Sequence, residues 1–403
     1  MDFEVVILGS DINAYYMARN THEAYGKKAY VISMLPMNFT NYSTILNISY
    51  EPDLHNPDTF KKVLTEFAKN HQDKKLLLIG SNDNYVRLII ENQDYLKQYY
   101  YFHTFDEKLL NDLLIKDRFY QTFSDIPIPM TYIYDIDSEL DMDKVNQMHY
   151  PVILKPGDGI HYHDHEFIGQ AKVYKIKDQQ ELHDTLNKIR ASGYKGNIII
   201  QKFVPGDDSS LFDCIVYCDR FGKVKLMTFA QIGLQEHTST GIGNCTLLVN
   251  GFNEHGNTEV ITKQLKDLIE SLDYHGPAEF DLKYDSDDKE FKIFEINPRQ
   301  ARSSYYLTAC GYNLVKYLVD DLIYEKDLDY HFIDEKMCLS FVPKAVIKKY
   351  VENPKLKAEV LSLIKQGKIV DPLDYKKDRS WKRKLWLKLR KINYSKKYRE
   401  SKW

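Results

Sequence analysis

The sequence predicts a protein of mixed α/β and α+β architecture, in which an N-terminal parallel α/β domain precedes a region of β-hairpins and helices. Short apolar runs at residues 5–8, 28–33 and 75–79 alternate with helical patterns, one of which ends near Tyr25. Strands that alternate with helices are typical of a parallel sheet. The fingerprint G-x-G-x-x-G is absent, so this sheet is not predicted to bind a dinucleotide.

The most informative stretch of the second region is residues 276–304, which has the pattern of a β-hairpin. Residues 280–284 and 290–296 alternate apolar and polar side chains, and the acidic run at residues 285–288 has the composition of a turn. A turn centred near Asp288 would place two acidic residues of the two strands opposite each other. The pattern therefore predicts a concentration of negative charge on one face of a sheet.

These opposed carboxylates belong to Asp281 and Glu295, and Asn297 lies on the same face two residues further on. Two carboxylates that face each other across a strand pair repel and destabilise it. A hard divalent cation reverses this effect, because Mg²⁺ binds carboxylate and amide oxygens together with substrate phosphates. Arg299 and Arg302 follow directly, and a guanidinium group is suited to an anion beside such a metal. The alternative interpretation is a solvated acidic hairpin without a ligand.

Length and composition indicate an ordinary soluble protein of two or three domains. Of the 403 residues, 43% are apolar and 28% are charged, and no apolar run reaches the roughly 18 residues of a membrane-spanning helix. The sequence starts without the basic region of a secretory signal, so a cytoplasmic location is expected. The five cysteines are scattered and form neither a disulfide framework nor a zinc framework.

Two lysines stand at positions where a phosphate could bind. Lys116 opens a helical segment, and Lys155 closes the apolar strand in YPVILKPG, where Pro156 and Gly157 stop the strand. A turn directly behind the strand holds the ammonium group at its end. Each lysine taken alone is equally compatible with a solvated surface position.

A second strand exit offers groups for a flat base and a sugar. The apolar residues 197–200 run into Gln201, Lys202 and Val204, and a Pro-Gly turn follows. Backbone N–H and C=O groups at such an exit are available to a base. The carboxylate of Asp208 lies just beyond the turn, where it could accept a hydrogen bond from a sugar hydroxyl.

The order of these features resembles that of the ATP-grasp superfamily, whose two lobes hold ATP between them and activate a carboxylate as an acyl phosphate. The motifs are Lys116, YPVILKP, IIIQKFVPGDD, FDLKY and FEINPRQARSS. Within the superfamily, ILGSDINAYYMARNTHEAYG, YHDHEFIGQAKVY and FEINPRQARSSYYLTACG are most similar to the D-aspartate ligases of bacterial peptidoglycan synthesis. The resemblance implies a pre-ATP-grasp α/β domain at residues 1–108, a two-lobed ATP-grasp domain at residues 109–330 and a C-terminal extension at residues 331–403.

The resemblance also implies a role for each candidate residue. ATP phosphates would be held by Lys116 and Lys155, the adenine framed by Gln201, Lys202 and Val204, and the ribose bound by Asp208. Mg²⁺, with Mn²⁺ as an alternative, would be bound by Asp281, Glu295 and Asn297. Arg299 would steady the acyl phosphate or the incoming carboxylate, and Arg302 would contact the carboxylate side of the site. The loop after Lys155 departs from the usual glycine-rich sequence, so Lys172 is expected to contribute a phosphate contact.

In the resembled ligases the activated carboxylate is the β-carboxylate of D-aspartate, and the amine is the lysine side chain of a peptidoglycan precursor such as UDP-MurNAc-pentapeptide. The residues themselves fix neither the stereochemistry nor the side chain of the substrate. Two alternatives are therefore open. One is a ligase of the same fold with other amino-acid substrates, and the other is a nucleotide-binding protein without turnover.

Two loops that contain histidines have open interpretations. His161, His163 and His165 alternate, so an extended strand would gather them on one face as a zinc site requires. A polar, mobile lid explains the same residues. His237 lies in the Gly/Ser/Thr-containing loop at residues 235–244, where it either contacts phosphate or substrate or belongs to a plain surface loop.

The C-terminal tail has a charge of its own. Residues 376–403 contain thirteen Lys or Arg and two acidic residues, a local net charge of +11, so the remainder carries −14 within the total of −3. Apolar residues recur in the tail at helical spacing, namely Trp381, Leu385, Leu389 and Ile392. A basic amphipathic helix with tryptophan is typical of peripheral contact with an anionic membrane. The alternative is a helix packed on the protein with a solvated basic face, and nucleic-acid binding is less expected because stacking aromatics are few.

Overall fold

The computed structural model describes residues 2–238, 241–255 and 258–400. A four-stranded parallel sheet comes first, in the order β3-β2-β1-β4. Its strands are β1 (Phe3–Leu8), β2 (Ala29–Ser33), β3 (Leu46–Tyr50) and β4 (Lys75–Gly80), with helices α1 (Ile12–Tyr25), α2 (Pro57–Lys69), α3 (Asp83–Glu91) and α4 (Gln93–Leu96). The predicted parallel α/β architecture is confirmed. The short apolar runs of the sequence did not reveal β3, an edge strand whose side chains are mostly exposed or half-buried.

The turns after β1 and β4 meet at the carboxyl edge of this sheet. Asp11 caps α1 by accepting hydrogen bonds from the backbone of Asn13 and Ala14. Its other carboxylate oxygen accepts from Ser81 Oγ at 3.0 Å and from Asn82 Nδ2 at 2.8 Å. These bonds fix the start of α3, whose first residue contacts the functional site described below.

A second, antiparallel sheet has four strands in the order β5-β8-β6-β7. They are β5 (Thr131–Asp135), β6 (Val152–Pro156), β7 (Tyr174–Ile176) and β8 (Asn197–Lys202). The helices of this region are α5 (Glu107–Leu114), α6 (Lys116–Thr122), α7 (Met142–Asn146), α8 (Gly159–His163) and α9 (Gln179–Ala191). One face of the sheet and α9 enclose a separate apolar core around Tyr134, Leu154 and Leu186.

The largest sheet has nine strands, seven of them in the order β14-β13-β9-β11-β12-β16-β17, while β10 pairs with β9 and β15. The strands are β9 (Leu211–Cys218), β10 (Val224–Thr228), β11 (Ala230–Gln235), β12 (Cys245–Asn250), β13 (Gly276–Asp285), β14 (Glu290–Asn297), β15 (His331–Ile333), β16 (Met337–Ser340) and β17 (Ile369–Val370). The helices are α10 (Glu259–Ser271), α11 (Tyr305–Ala309), α12 (Leu314–Leu318), α13 (Lys344–Tyr350), α14 (Pro354–Lys365) and α15 (Trp381–Glu400), with a π-helical turn at Val319–Ile323. One continuous core joins this sheet to α1 and to the C-terminal helices.

The C-terminal helix α15 packs on the protein through polar and aromatic residues. Arg383 is fully buried, lies 3.0 Å from the buried carboxylate of Asp378, and stacks over the ring of Tyr15 at 3.8 Å. Tyr394 and Tyr398 are buried as well. The prediction of a helix is confirmed, and so is the interpretation that it packs on the protein. The predicted apolar face is not the packed one, since Leu385 and its neighbours on that face are exposed.

The histidine cluster of the loop after β6 is not extended. His161 and His163 belong to α8, so they do not alternate along a strand as a zinc site would require. No group of three or more His, Cys, Asp or Glu side chains placed to hold a metal ion occurs in the part of the chain that the structure describes. The zinc interpretation is therefore wrong. Of the helices in the described ranges, none is both long and apolar enough to cross a bilayer.

Candidate active site

A cavity of about 880 Å³ lies between the small antiparallel sheet and the large sheet. Side chains from both sheets line it, together with α6 and the segment that precedes β7. Nine of the twelve residues to which the resemblance assigns a role line this one cavity: Lys116, Lys155, Lys172, Gln201, Lys202, Val204, Asp208, Asp281 and Glu295. Residues that are up to 179 positions apart in the sequence thus meet around one space.

The acidic end of the cavity is formed by the β13–β14 hairpin. Asp281 pairs directly with Glu295 across the two strands, and the register shifts immediately afterwards. The side chain of Asn297 donates from Nδ2 to Asp281 Oδ2 at 3.2 Å. The predicted pairing of Asp281 with Glu295 is confirmed, and the register shift lies where two apolar residues, Ile293 and Phe294, follow each other in β14.

Two further buried carboxylates adjoin this pair, and the sequence analysis missed both. Glu279 stands two residues before Asp281 on β13, and Asp213 on β9 is the direct partner of Asp281 on the other side. Burial, together with the charge of Asp281, raises the pKa of Asp213 to about 7, and burial together with the charge of Asp213 raises that of Glu279 to about 8. Burial also raises the pKa of Asp281 well above its usual range, with Glu279 and Glu295 adding to the effect. The two-residue spacing identifies Glu279, and an aspartate inside the apolar run LFDCIVYC identifies Asp213.

Lys116 provides the positive charge nearest to this end. Its ammonium group forms an ion pair with Glu295, which holds the pKa of that carboxyl well below its usual range. Although burial opposes it, the same pair raises the pKa of Lys116. The donor set of two carboxylates and one amide suits Mg²⁺, which is usually held by one or two carboxylates together with phosphate oxygens. The raised pKa values of the neighbouring carboxyls indicate a negative site that Lys116 alone does not neutralise.

A buried lysine stands at the basic side of the cavity. Lys155 Nζ donates to Tyr120 Oη at 2.8 Å and lies 5.9 Å from the ring centre of Phe294. Burial lowers the pKa of Lys155 to about 7, and the charges of Lys116 and Lys172 contribute to the same shift. Three cations around one space, one of them desolvated, form a site that an anionic group would stabilise.

The far end of the cavity contains the strand exit expected for a base. Gln201 is buried and donates from Nε2 to Thr131 Oγ1 at 2.8 Å, while Val204 is buried against the cavity wall. Lys202 lines the cavity as well, and its ammonium group lies 3.1 Å from a carboxylate oxygen of Asp288 in the hairpin turn. Its side chain is thus tied to the rim of the site.

The carboxylate of Asp208 is held by a neighbouring loop. It accepts hydrogen bonds from Gln235 N at 3.0 Å, from Gln235 Nε2 at 2.8 Å and from His237 Nε2 at 2.8 Å. The hydrogen bond to Asp208 raises the pKa of His237. His237 also lines the cavity, so it belongs to the wall of the site and not to a plain surface loop.

Two lysines and a phenylalanine of the cavity were absent from the sequence analysis. Lys175 lies 4.2 Å from the ring centre of Phe203, and Lys283 lies 5.4 Å from it. Lys283 also donates to the carbonyl of Gly206 at 3.0 Å, and burial lowers its pKa to about 8. Lys283 is the lysine of the FDLKY motif and occupies a polar position in the alternation of that strand. The sequence could therefore have identified it as a candidate residue of the site.

The two arginines lie outside the set of residues that line the cavity. Arg299 stands behind the acidic end, where Nε donates to Asp83 at 2.7 Å, Nη1 to Glu279 at 3.2 Å and Nη2 to Asn297 at 3.0 Å. It therefore links the first residue of α3 to the hairpin. Arg302 lies away from this group, with Nη1 3.7 Å from Glu236 and the guanidinium over the ring of Phe341.

Comparison with known proteins identifies the fold first. No family model matches the chain. N5-carboxyaminoimidazole synthetase from Staphylococcus aureus superposes with a TM-score of 0.60 at 14% identity, over 84% of this chain and 83% of that one. An L-amino acid ligase from Bacillus licheniformis gives a TM-score of 0.58 at 14% identity, over 81% and 75% of the two chains. At this level of identity the likeness concerns the fold, which is that of the ATP-grasp ligases.

One relative narrows the class. The D-aspartate ligase of Enterococcus faecium (strain Aus0004) is 32% identical over 405 residues, which is 98% of this chain and 95% of that protein. The match includes the N-terminal sheet, the cavity and the C-terminal helix. The chain belongs to the D-aspartate ligase family, and thereby to the ATP-dependent ligases.

Proposed function

We propose that the protein activates the β-carboxylate of D-aspartate as an acyl phosphate at the expense of ATP and couples it to the lysine side chain of a peptidoglycan precursor such as UDP-MurNAc-pentapeptide. The similarity to a D-aspartate ligase over 98% of the chain supports the choice of substrates. The observation that carries the chemistry is the meeting of a buried lysine and an opposed carboxylate pair in one cavity. Such a cavity suits a substrate that brings several negative charges and a metal ion.

In this proposal the triphosphate lies between the lysines and the acidic hairpin. Lys155, Lys116 and Lys172 offset phosphate charge, while the buried strand exit at Gln201 and Val204 faces the adenine and Asp208 lies near the ribose. Mg²⁺, or Mn²⁺ in its place, would be held by Glu295, Asn297 and Asp281 and would offset charge on the phosphates.

The chemistry then consists of two displacements. A carboxylate oxygen of the amino acid attacks the γ-phosphorus and ADP leaves. The neutral amine attacks the acyl carbon, phosphate departs with the electron pair of the C–O bond, and the nitrogen loses one proton. Phosphoryl transfer depends mainly on position and charge neutralisation, which matches a site of lysines and carboxylates.

The remaining residues act on position and on access of water. Arg299 is proposed to set the place of Asn297 and Glu279 through its three hydrogen bonds. Arg302 is proposed to lie on the side of the site that binds the substrate carboxylate, where its contact with Glu236 would hold it. The segment between α8 and β7, which includes Lys172, is proposed to close over the acyl phosphate and exclude water.

We also propose the division into residues 1–108, 109–330 and 331–403, and a cytoplasmic site of action, where ATP and a nucleotide-linked precursor are present together. The runner-up function is a ligase of the same fold for other amino acids. A nucleotide-binding protein without turnover is disfavoured, because several buried carboxyls with raised pKa values destabilise a fold that has no cation to bind there.

The test is ADP release by the purified protein with Mg²⁺ and ATP. D-Asp, L-Asp, D-Ala, L-Ala and Gly are offered in turn, each with and without UDP-MurNAc-pentapeptide. Turnover that requires D-Asp together with the lysine-containing precursor is the expected result. Turnover with a different pair would keep the ligase and replace its substrates, and a lack of turnover with nucleotide still bound would favour the binding protein.

The same assay tests the acidic hairpin. Glu295→Gln should reduce ADP formation at least 100-fold, on the order of the loss expected when a charge-stabilising group is removed. Glu290→Gln, on the same strand but with a half-exposed side chain, is the matched control and should retain turnover. Wild-type turnover in Glu295→Gln would contradict the metal assignment.

A further inference from the structure

The C-terminal helix α15 has two faces of unusual composition. Its solvent face carries four large apolar side chains at helical spacing, which together form the exposed apolar stripe. Their exposed fractions are 71% for Trp381, 50% for Leu385, 54% for Leu389 and 59% for Ile392. A surface helix normally turns such residues toward the core.

The opposite face of α15 explains why the stripe is free. Arg383 and Arg390 are buried there, and Tyr394 donates to Glu236 at 3.1 Å while Tyr398 donates to the carbonyl of Gln235 at 2.6 Å. These polar and aromatic contacts hold the helix against the protein. The exposed apolar stripe is therefore not needed to attach α15, and it remains available to something else.

The stripe is surrounded by positive charge. Lys382, Lys384 and Lys388 are exposed beside it, and in the described ranges none of the three lies within ion-pair distance of a carboxylate. Lys396 and Arg399 continue the same face toward the end of the helix. The partner of this surface must therefore combine an apolar interior with a negative exterior.

An exposed aromatic residue of the N-terminal region extends this surface. Tyr42 is 52% exposed, and Lys382 Nζ lies 5.2 Å from its ring and 5.7 Å from the ring of Trp381. Tryptophan and tyrosine favour the boundary between lipid headgroups and acyl chains, where their rings are apolar and their polar atoms are hydrated.

We propose that the exposed apolar stripe of α15 docks on the surface of an anionic lipid bilayer, with the helix axis parallel to the membrane. Lysines at the flanks would contact anionic headgroups while the stripe enters the boundary with the acyl chains. A second copy of the chain fits less well, because two cationic faces would repel each other. A nucleic acid would be attracted by the charge but would leave the aliphatic stripe without a partner.

The test is co-sedimentation of the full-length protein with vesicles of phosphatidylcholine, with or without added phosphatidylglycerol. The wild type should bind vesicles that contain phosphatidylglycerol, bind those of phosphatidylcholine alone weakly, and lose binding as salt is raised. The variant Leu385→Ser/Leu389→Ser/Ile392→Ser should lose roughly tenfold or more in partition coefficient, because the apolar contact is gone. Lys382→Gln/Lys384→Gln/Lys388→Gln should lose a similar factor and respond less to salt.

Two controls separate docking from loss of structure. Val260→Ser changes an apolar residue that is 66% exposed on α10 and should bind like the wild type. The three-serine variant should keep the ADP formation of the wild type, since the substituted side chains face solvent and lie outside the cavity lining. A Trp386→Phe/Trp403→Phe background, in which Trp381 is the one tryptophan of the sequence, should show its emission shifted to shorter wavelength on vesicle binding.

Three results would overturn the proposal. Equal vesicle binding by the wild type and the three-serine variant would show that the stripe does not enter the lipid. Absence of binding to vesicles with phosphatidylglycerol would remove the partner altogether. A dimer in sedimentation analysis that the three-serine variant abolishes would assign the stripe to a second copy of the chain.

Discussion

Buried charge is treated in opposite ways in two regions of the molecule, the interior face of α15 and the acidic end of the cavity. Arg383 is buried beside Asp378, whose carboxylate also accepts from Tyr15 Oη at 2.9 Å and from the backbone N–H of Thr44 at 2.6 Å. At the acidic end, Asp213, Glu279 and Asp281 crowd together with fewer cations than carboxylates. A buried carboxylate that has a counter-charge and several donors, like Asp378, holds the fold together, whereas an incompletely neutralised one is kept for a ligand.

The largest effect is expected from removing the counter-charge of Arg383. Asp378→Asn would leave the Arg383 guanidinium buried without its counter-charge, which costs about 3–5 kcal/mol of the free energy of unfolding. The urea midpoint should fall sharply, and ADP formation per folded molecule should change little, because Asp378 lies outside the cavity lining.

The matched control is Asp374→Asn. Its partner Arg379 lies 3.3 Å away, but both side chains are close to half exposed, so the exchange should cost less than about 1 kcal/mol. Similar midpoints for the two variants would mean that the buried Asp378 pair does not stabilise the fold more than the exposed Asp374 pair.

A smaller effect, a gain in the free energy of unfolding, is expected at the acidic end of the cavity. Burial raises the pKa of Glu279 from its ordinary value of 4.5 to about 8, so the unfolded state releases the proton that the folded state keeps. The stabilising contribution of the protonated form is therefore present below pH 4.5 and is lost as the pH rises toward 8. Glu279→Gln should raise the free energy of unfolding by about 1–2 kcal/mol near pH 8 and change it little near pH 5.

The measurement is urea unfolding across this pH range without nucleotide or divalent cations. Glu290→Gln serves as the control, because its carboxylate is 51% exposed. A Glu279→Gln variant that is less stable than the wild type at pH 8 would mean that the hydrogen bond from Arg299 dominates. Glu279 would then belong with Asp378 as a structural carboxylate.

The same contrast explains how far the sequence could lead. In the hairpin, the two-residue period and the position of the acidic turn predicted the Asp281–Glu295 pairing, although the register shift beside it was not expected. In α15 the spacing revealed a helix but not its packed face, because that depends on partners such as Asp378 and Glu236, which lie far away in the sequence. The conventional rule that apolar residues face inward failed there for the same reason.

Asp213 and Arg299 mark a second limit of the sequence. Asp213 becomes part of the acidic end only because β9 lies beside β13, and strand order cannot be read from alternation. Arg299 was expected in the cavity with the other motif residues, yet its guanidinium turns back toward Asp83 in the N-terminal region. Local pattern identified which residues carry chemistry, and tertiary packing decided which of them face the substrate.

The smallest effect is expected for proton uptake at Lys155, a buried cation that lacks an anion. Burial lowers the pKa of Lys155 from 10.5 to about 7, so at pH 8 most molecules without nucleotide hold it as a neutral amine. Phosphates beside Lys155 would restore its charge, so nucleotide binding near pH 8 should be accompanied by the uptake of at most about one proton. Each unit of pKa change corresponds to about 1.4 kcal/mol of binding free energy. Calorimetric titration in buffers with different ionisation enthalpies measures this number. Uptake should decline toward pH 6, where Lys155 is already charged.

Two variants identify the group responsible for the proton uptake. Lys155→Met should abolish its contribution, while Lys283→Met, which removes the other cation whose pKa is lowered to about 8, should leave that contribution intact. In the absence of nucleotide, the lowered pKa of Lys155 makes unfolding take up a proton between about pH 7 and 10.5, so the wild type should gain stability as the pH rises through this window. Identical proton uptake in Lys155→Met and in the wild type would place the phosphates elsewhere in the cavity and would leave Lys155, like Arg383, as a cation that serves the fold.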